Sequence, residues 1–156
     1  MSVDTNLERP KTHNEHQKAI VNLISTHNAI VNEMNEFFKR FDITRQQYNV
    51  LRILEVEYPK ALPVHKIREQ LIDKMSDASR IVERLRLKGL IQRTVSNHDK
   101  RAVQVTLTDK GIDLVYSIDS DMDNLEQAIQ NLSPEEVIVL NGLLDKINSN
   151  NRIINF

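Results

Sequence analysis

The stretch that decides the fold is Ser76 to Gly111, "SDASRIVERLRLKGLIQRTVSNHDKRAVQVTLTDKG". Its opening has a helical period. At 100° per residue, Ala78, Ile81, Val82 and Leu85 fall on one face, and Ser76, Asp77, Arg80, Glu83 and Arg84 on the opposite one. This predicts a helix over 76–88, with Asp73 or Ser76 as its N-cap and Gly89 as the residue that ends it. The period then drops to two. Leu90 to Val95 alternates, and Val103, Val105 and Leu107 alternate with Gln104 and Thr106. The two runs predict a β-hairpin whose loop, Ser96 to Arg101, holds Asn97, His98, Asp99 and Lys100 and has no glycine, so it is longer than a tight two-residue turn. Thr108 then caps the start of another helix.

Upstream, residues 1–12 are polar and read as a flexible arm, and residues 13–41 predict a long helix. Ile20, Ile24, Val31, Met34, Phe38 and Phe41 form one apolar row with His27 in series, and Leu23, Ile30 and Phe37 form a row beside it. A helix apolar over so wide an arc needs more than one partner surface. "ITRQQY" (Ile43 to Tyr48) announces the next helix, with Thr44 as N-cap, Gln47 closing a capping box, and Ile43 and Tyr48 as a hydrophobic staple. That helix carries Leu51 and Leu54 inward and ends near Tyr58-Pro59; a short third helix with Val64, Ile67 and Leu71 on one face follows "ALPV".

Downstream, Val115, Ile118, Met122, Leu125, Ile129 and Leu132 alternate spacings of three and four, which predicts a heptad-like seam on a fifth helix. "LSPEEV" (Leu132 to Val137) starts a sixth, with Ser133 as cap, Pro134 at the first position and Glu136 at the third. Val137, Leu140, Leu144 and Ile147 continue the rhythm, and 149–156 reads as a tail. The expected organisation is one domain over 13–148. A lobe at 44–107 would sit between helical segments at 13–41 and 109–148, whose stripes exceed what the lobe can cover and point to a homodimer, with packing inside one chain as the alternative.

Composition agrees with a mainly α protein carrying one small hairpin: 156 residues with three glycines and four prolines. There is no cysteine, which excludes disulfides, thiol nucleophiles and cysteine zinc sites and makes a cytoplasmic protein the expectation. No apolar run approaches the roughly 20 residues of a membrane span. The net charge of −1 hides an asymmetry. From Lys74 to Arg101, eight cations (Lys74, Arg80, Arg84, Arg86, Lys88, Arg93, Lys100, Arg101) face three anions (Asp77, Glu83, Asp99). From Asp109 onward, nine anions face three cations. One segment thus suits a polyanion that the remainder repels.

Enzymatic chemistry finds little footing. "HNEH" places His13, Glu15 and His16 together, but no third ligand lies near them, and solvated histidines are the ordinary reading. There is no glycine-rich phosphate loop and no GxSxG. No catalytic residue, metal or cofactor is expected. The arginines of the 76–88 helix also have an ordinary reading, a solvated face with pairs such as Arg80–Glu83.

In its order of helices and hairpin, and in "RLRLKGLI-x-R", the Asp99-Lys100-Arg101 loop and "VTLTDKG", the chain resembles the MarR (multiple antibiotic resistance regulator) family of bacterial repressors. The resemblance covers about 130 residues. It implies a winged helix-turn-helix between dimerisation helices, and a homodimer that reads a pseudo-palindromic operator in double-stranded DNA. The 76–88 helix would enter the major groove with Ser76, Asp77, Ser79, Arg80 and Arg84. The wing would reach the minor groove with Arg101, oriented by Asp99, while His98 and Lys100 attract the backbone. It further implies relief by a small aromatic or phenolic ligand, for which His27, Phe37, Phe38, Tyr48 and Tyr116 are the candidate lining; ordinary core filling is the competing account of those side chains. A winged-helix module that binds protein rather than DNA is the alternative. "LIDKMS" (Leu71 to Ser76) departs from the family's glycine-containing turn, and the lack of cysteine excludes the thiol-based sensing of one branch.

Overall fold

The computed structural model describes residues 14–72, 76–96, 98, 103–122 and 129–150. Six helices and three strands follow in the order α1 (Glu15–Lys39), α2 (Arg45–Glu57), β1 (Leu62–Pro63), α3 (Val64–Gln70), α4 (Ala78–Leu87), β2 (Ile91–Val95), β3 (Val103–Leu107), α5 (Asp109–Asp121) and α6 (Pro134–Asn150). The flexible arm at 1–12 lies outside the described residues, as do Asp73, Asn97, Asp99, Lys100, Arg101 and Leu125. The tail expected from 149 is shorter, because α6 runs on to Asn150.

Local capping chemistry explains most of the boundaries. Thr44 Oγ1 accepts from the Gln47 N–H (3.1 Å) and Gln47 Oε1 accepts from the Thr44 N–H (3.0 Å). Ser133 and Glu136 repeat this reciprocal pair at α6 (3.2 and 2.8 Å). Each box satisfies two donors that the first helical turn would otherwise leave free. For α4 the cap is Asp77, rather than Asp73 or Ser76: its Oδ1 accepts from the Arg80 N–H (3.1 Å). The helix accordingly starts two residues later than the apolar period suggests.

The hairpin gains a strand that its alternation does not announce. β1 pairs antiparallel with β3 (Leu62 with Val105, Pro63 with Gln104), giving a three-stranded sheet in the order β1-β3-β2. Two residues are too few to display a period, and Pro63, which has no N–H to donate, is tolerated because β1 is an edge. β2 and β3 pair from Ile91 opposite Leu107 to Val95 opposite Val103, so the two strands stay in register along their whole length.

Between α4 and the sheet the chain turns within two residues. Gly89 takes φ +71°, the left-handed conformation that costs glycine least. The Gly89 N–H donates to Arg86 O (2.9 Å) and the Leu90 N–H to Leu85 O (3.1 Å), the paired bonds of a Schellman ending. The carbonyls of this joint are taken up by the start of α5. Lys110 Nζ donates to Lys88 O (2.9 Å), Thr108 Oγ1 to Gly89 O (2.7 Å) and the Thr108 N–H to Leu90 O (3.1 Å). Gly111 is needed because a Cβ there would lie 2.1 Å from Leu90 O.

The core gathers Phe37, Phe38, Val50, Leu51, Leu54, Ile67, Val82, Leu85, Ile91, Val105, Val115 and Ile118 from the end of α1, all of α2 to α4, the sheet and α5. Val115 and Ile118 are therefore buried where α5 packs on the lobe, not on an exposed seam, and α5 stops at Asp121 instead of running on to Leu132. The reason is geometric: a run of alternating three and four spacings fits a core face as well as a coiled-coil seam. The first half of α1 and most of α6 contribute no fully buried side chain.

Candidate nucleic-acid interface

The azimuth of α4 is fixed by its apolar face. Ala78 and Leu85 are 0% exposed and Val82 1%, which turns Ser79, Arg80 and Arg84 to solvent. Ser76 is half-buried just before the cap, and Asp77 spends one carboxylate oxygen on the helix start. The expected Arg80–Glu83 pair does not form. Glu83 accepts instead from Arg86 Nη2 (2.8 Å) and Nε (3.1 Å) and, across the turn, from Arg93 Nη2 of β2 (2.6 Å). The Arg86 hydrogen bonds, helped by the Arg86 and Arg93 charges, hold the Glu83 carboxyl below its ordinary range. Among the described residues no carboxylate is paired with Arg80 or Arg84. Two cations one turn apart thus stand on an exposed face whose local anions are already engaged.

Beside them a groove of about 260 Å³ runs between the first turn of α2 (Thr44, Gln46, Gln47) and α4 (Ser76, Asp77, Arg80, Ile81, Arg84). The Glu83–Arg93 contact ties the stem of the hairpin to the same helix, a link that sequence reasoning missed because it depends on the turn at Gly89. His98 is exposed, and its N–H donates to Ser96 Oγ (3.2 Å). The remaining wing-tip candidates, Asp99, Lys100 and Arg101, lie outside the described residues.

The five aromatic and imidazole candidates for a ligand site are not brought together. Phe37, Phe38 and Tyr48 are buried in the core: Phe37 meets Phe38 edge-on at 5.1 Å and Phe38 stacks on Tyr48 at 4.6 Å. Phe37 also meets Phe41, at 5.4 Å, so these rings fill the interior and do not line a cavity wall. Burial raises the Tyr48 hydroxyl above its ordinary value of 10.0, so it remains a neutral donor, here to Asp119 Oδ1 (3.2 Å). His27 and Tyr116 are exposed elsewhere. The larger opening, about 930 Å³, lies between α1, the start of α2 and the end of α4, and is lined by Val31, Asn35, Lys39, Ile43, Arg45, Arg84 and Leu87 among others. It contains none of those five. As for the histidines of "HNEH", His16 donates its N–H to the Asn14 cap and sets its Nδ1 3.0 Å from the same oxygen, while His13 lies outside the described residues.

Comparison with known proteins places this geometry. Residues 43–103 match the MarR family. The HTH-type transcriptional regulator MgrA of Staphylococcus aureus is 34% identical over 113 residues, which are 72% of this chain and 75% of that protein. Among solved structures, a MarR mutant from E. coli complexed with operator DNA is 25% identical and superimposes with a TM-score of 0.75, over 86% of this chain and 96% of that one. The MepR–DNA complex of S. aureus is 28% identical with a TM-score of 0.72, over 85% and 96%. No helix among the described residues is long and apolar enough to cross a membrane. With its winged lobe, an arginine face that has no carboxylate partner among the described residues, and these relatives, the chain belongs to the MarR family and is a DNA-binding transcription regulator, not an enzyme.

Proposed function

We propose that this chain is a homodimeric repressor that binds a pseudo-palindromic operator and is released from it by a small aromatic or phenolic ligand. The observation that carries the reading is the pair Arg80 and Arg84, exposed on α4 without a carboxylate partner among the described residues. Arginine in a major groove bonds guanine bidentately or pairs with phosphate. Ser76 and Ser79 flank the pair as donors to the backbone. Asp77 serves through its cap, which holds the first turn in place. On the wing, Arg101 enters the flanking minor groove, Asp99 orients it, and His98 and Lys100 add attraction to phosphates.

Dimerisation is supported by what the single chain leaves uncovered. Ile20, Val21 and Ile24 on α1, and Ile138, Val139 and Leu143 on α6, are each more than half exposed. Apolar surface so concentrated is rare on monomers. For the ligand, the cleft of about 930 Å³ is a better candidate than the buried aromatic cluster. It has room, apolar walls in Val31, Ile43 and Leu87, and cations in Arg45 and Arg84 that suit a phenolate or carboxylate, beside Lys39, which lies 3.9 Å from Glu36 on the same wall.

Fluorescence anisotropy with DNA from upstream of the protein's own gene tests the reading. Wild type is expected to bind with a steep loss of affinity as salt rises. Arg80→Ala with Arg84→Ala should weaken binding roughly 100-fold without unfolding the lobe. Arg101→Ala should weaken it severely with fold and dimer intact. Salt-insensitive or absent binding would favour a protein-interaction module instead. A thermal-shift screen of phenols and aromatic acids, followed by release from DNA, tests the ligand.

A further inference from the structure

Three segments that belong to different parts of a dimer are joined by one small polar network. The Tyr48 ring stacks on Phe38 of α1, while its hydroxyl donates to Asp119 Oδ1 of α5 (3.2 Å). Asp119 Oδ2 accepts from Arg52 Nη1 of α2 (2.9 Å), and Arg52 also lies 3.4 Å from Glu55. Two residues further along α5, Asp121 lies 3.5 Å from Arg40 at the end of α1.

These helices also share an apolar core, to which they give Phe38, Leu51, Leu54, Val115 and Ile118. Apolar burial is non-directional and holds helices together without fixing their rotation as strictly as oriented bonds do. Asp119 supplies the orientation, since each of its oxygens meets a different α2 side chain one turn apart. α2 is part of the lobe that carries α4, whereas α1 and α5 lead into the segments with uncovered apolar faces.

We infer that Asp119 is a positioning residue: with Tyr48 and Arg52 it sets the angle of the winged lobe on the dimerisation helices, and so the half-site separation that the dimer reads. The inference rests on the reading of the chain as a DNA-binding dimer. Two recognition helices must stand about one DNA turn, roughly 34 Å, apart. A rotation of each lobe about its α2–α5 contact changes that separation while leaving every DNA-touching residue in place.

The test separates this role from DNA contact and from simple stability. The chain has no cysteine, so Gln92→Cys, on an exposed position of β2, gives one spin label per protomer. Distances between the two labels are measured by electron–electron resonance in wild type, Asp119→Ala, Asp119→Asn and Tyr48→Phe backgrounds. The DNA probe is the tightest duplex that wild type selects from a random pool, together with versions carrying one base pair more or fewer at the centre. Wild type is expected to prefer the selected spacing by about tenfold or more, and the variants to lose most of that preference, to within about threefold. Their label distances should broaden or shift. Variants that keep both the wild-type distance distribution and the spacing preference would overturn the role. Should Asp119→Ala fail to fold, Tyr48→Phe, which removes one hydroxyl and keeps the stacked ring, decides the matter. A wild type that selects no duplex would count against the DNA-binding reading itself, and the label distances would still test the positioning.

Discussion

The winged lobe and the two outer helices are built from similar proportions of apolar residues, yet they stand in opposite conditions. In the lobe, α2 to α4 and the sheet bury their apolar faces against one another and against the end of α1 and α5, and Leu51, Leu54 and Ile67 are 0% exposed. On the first half of α1 and on α6, residues of the same types remain in solvent, Ile138 at 71% and Val139 at 61%. The difference lies in partners and not in propensity. A short chain can close one core, and on the proposed reading a second copy covers what lies outside it. The lobe should therefore behave as a unit whose stability is its own, and the outer helices as a unit whose order depends on concentration.

Four substitutions can break or sharpen that contrast. The largest effect is expected for Leu54→Ala, which leaves a cavity in the closed core and should cost about 4 kcal/mol in denaturant unfolding; a cost near zero would mean that the lobe is not the stable unit. Next, Leu143→Glu places a charge on the uncovered α6 face. It should weaken self-association by about 3 kcal/mol in sedimentation equilibrium, while amide protection in α2 and β3 persists. A dimer of unchanged affinity would show that this face is not where copies meet. Gly111→Ala should cost about 2 kcal/mol, because its Cβ would collide with a backbone oxygen that the turn holds in place. Smallest, Thr44→Ala removes one half of a capping box and should cost about 1 kcal/mol, seen as a lowered melting midpoint of the lobe.

The same contrast separates what the sequence reveals from what it hides. Caps at Thr44, Thr108 and Ser133 are legible because their bonds reach only three residues along the chain. The inward face of α4 is legible because a period of 3.6 needs no knowledge of the partner. Events that depend on distant chain are not. β1 exists through β3, some 40 residues away, and is too short to carry a pattern. Glu83 has arginines at both −3 and +3, and the choice between Arg80 and Arg86 goes with Arg93, which the turn at Gly89 delivers. Val115 and Ile118 satisfy a heptad on paper, and burial under α2 gives them another use. Phe37, Phe38 and Tyr48 are of the types that line a ligand site, and only packing assigns them to the interior.

The joint at Lys88 to Leu90 has a consequence for the DNA that such a lobe can accept. Its carbonyls are all engaged by Thr108 and Lys110, and its helix ending is closed by two backbone bonds. There is no slack between α4 and the stem of the β2–β3 hairpin, which on the proposed reading serve the major and the minor groove. The two therefore keep a constant phase, and an insertion inside a half-site separates contacts that one lobe cannot stretch to recover. Tolerance to altered operators should be confined to base identity between half-sites at a fixed spacing, so aligned target sequences should drift in the sequence of their central spacer, but not in its length, long before they drift within either arm.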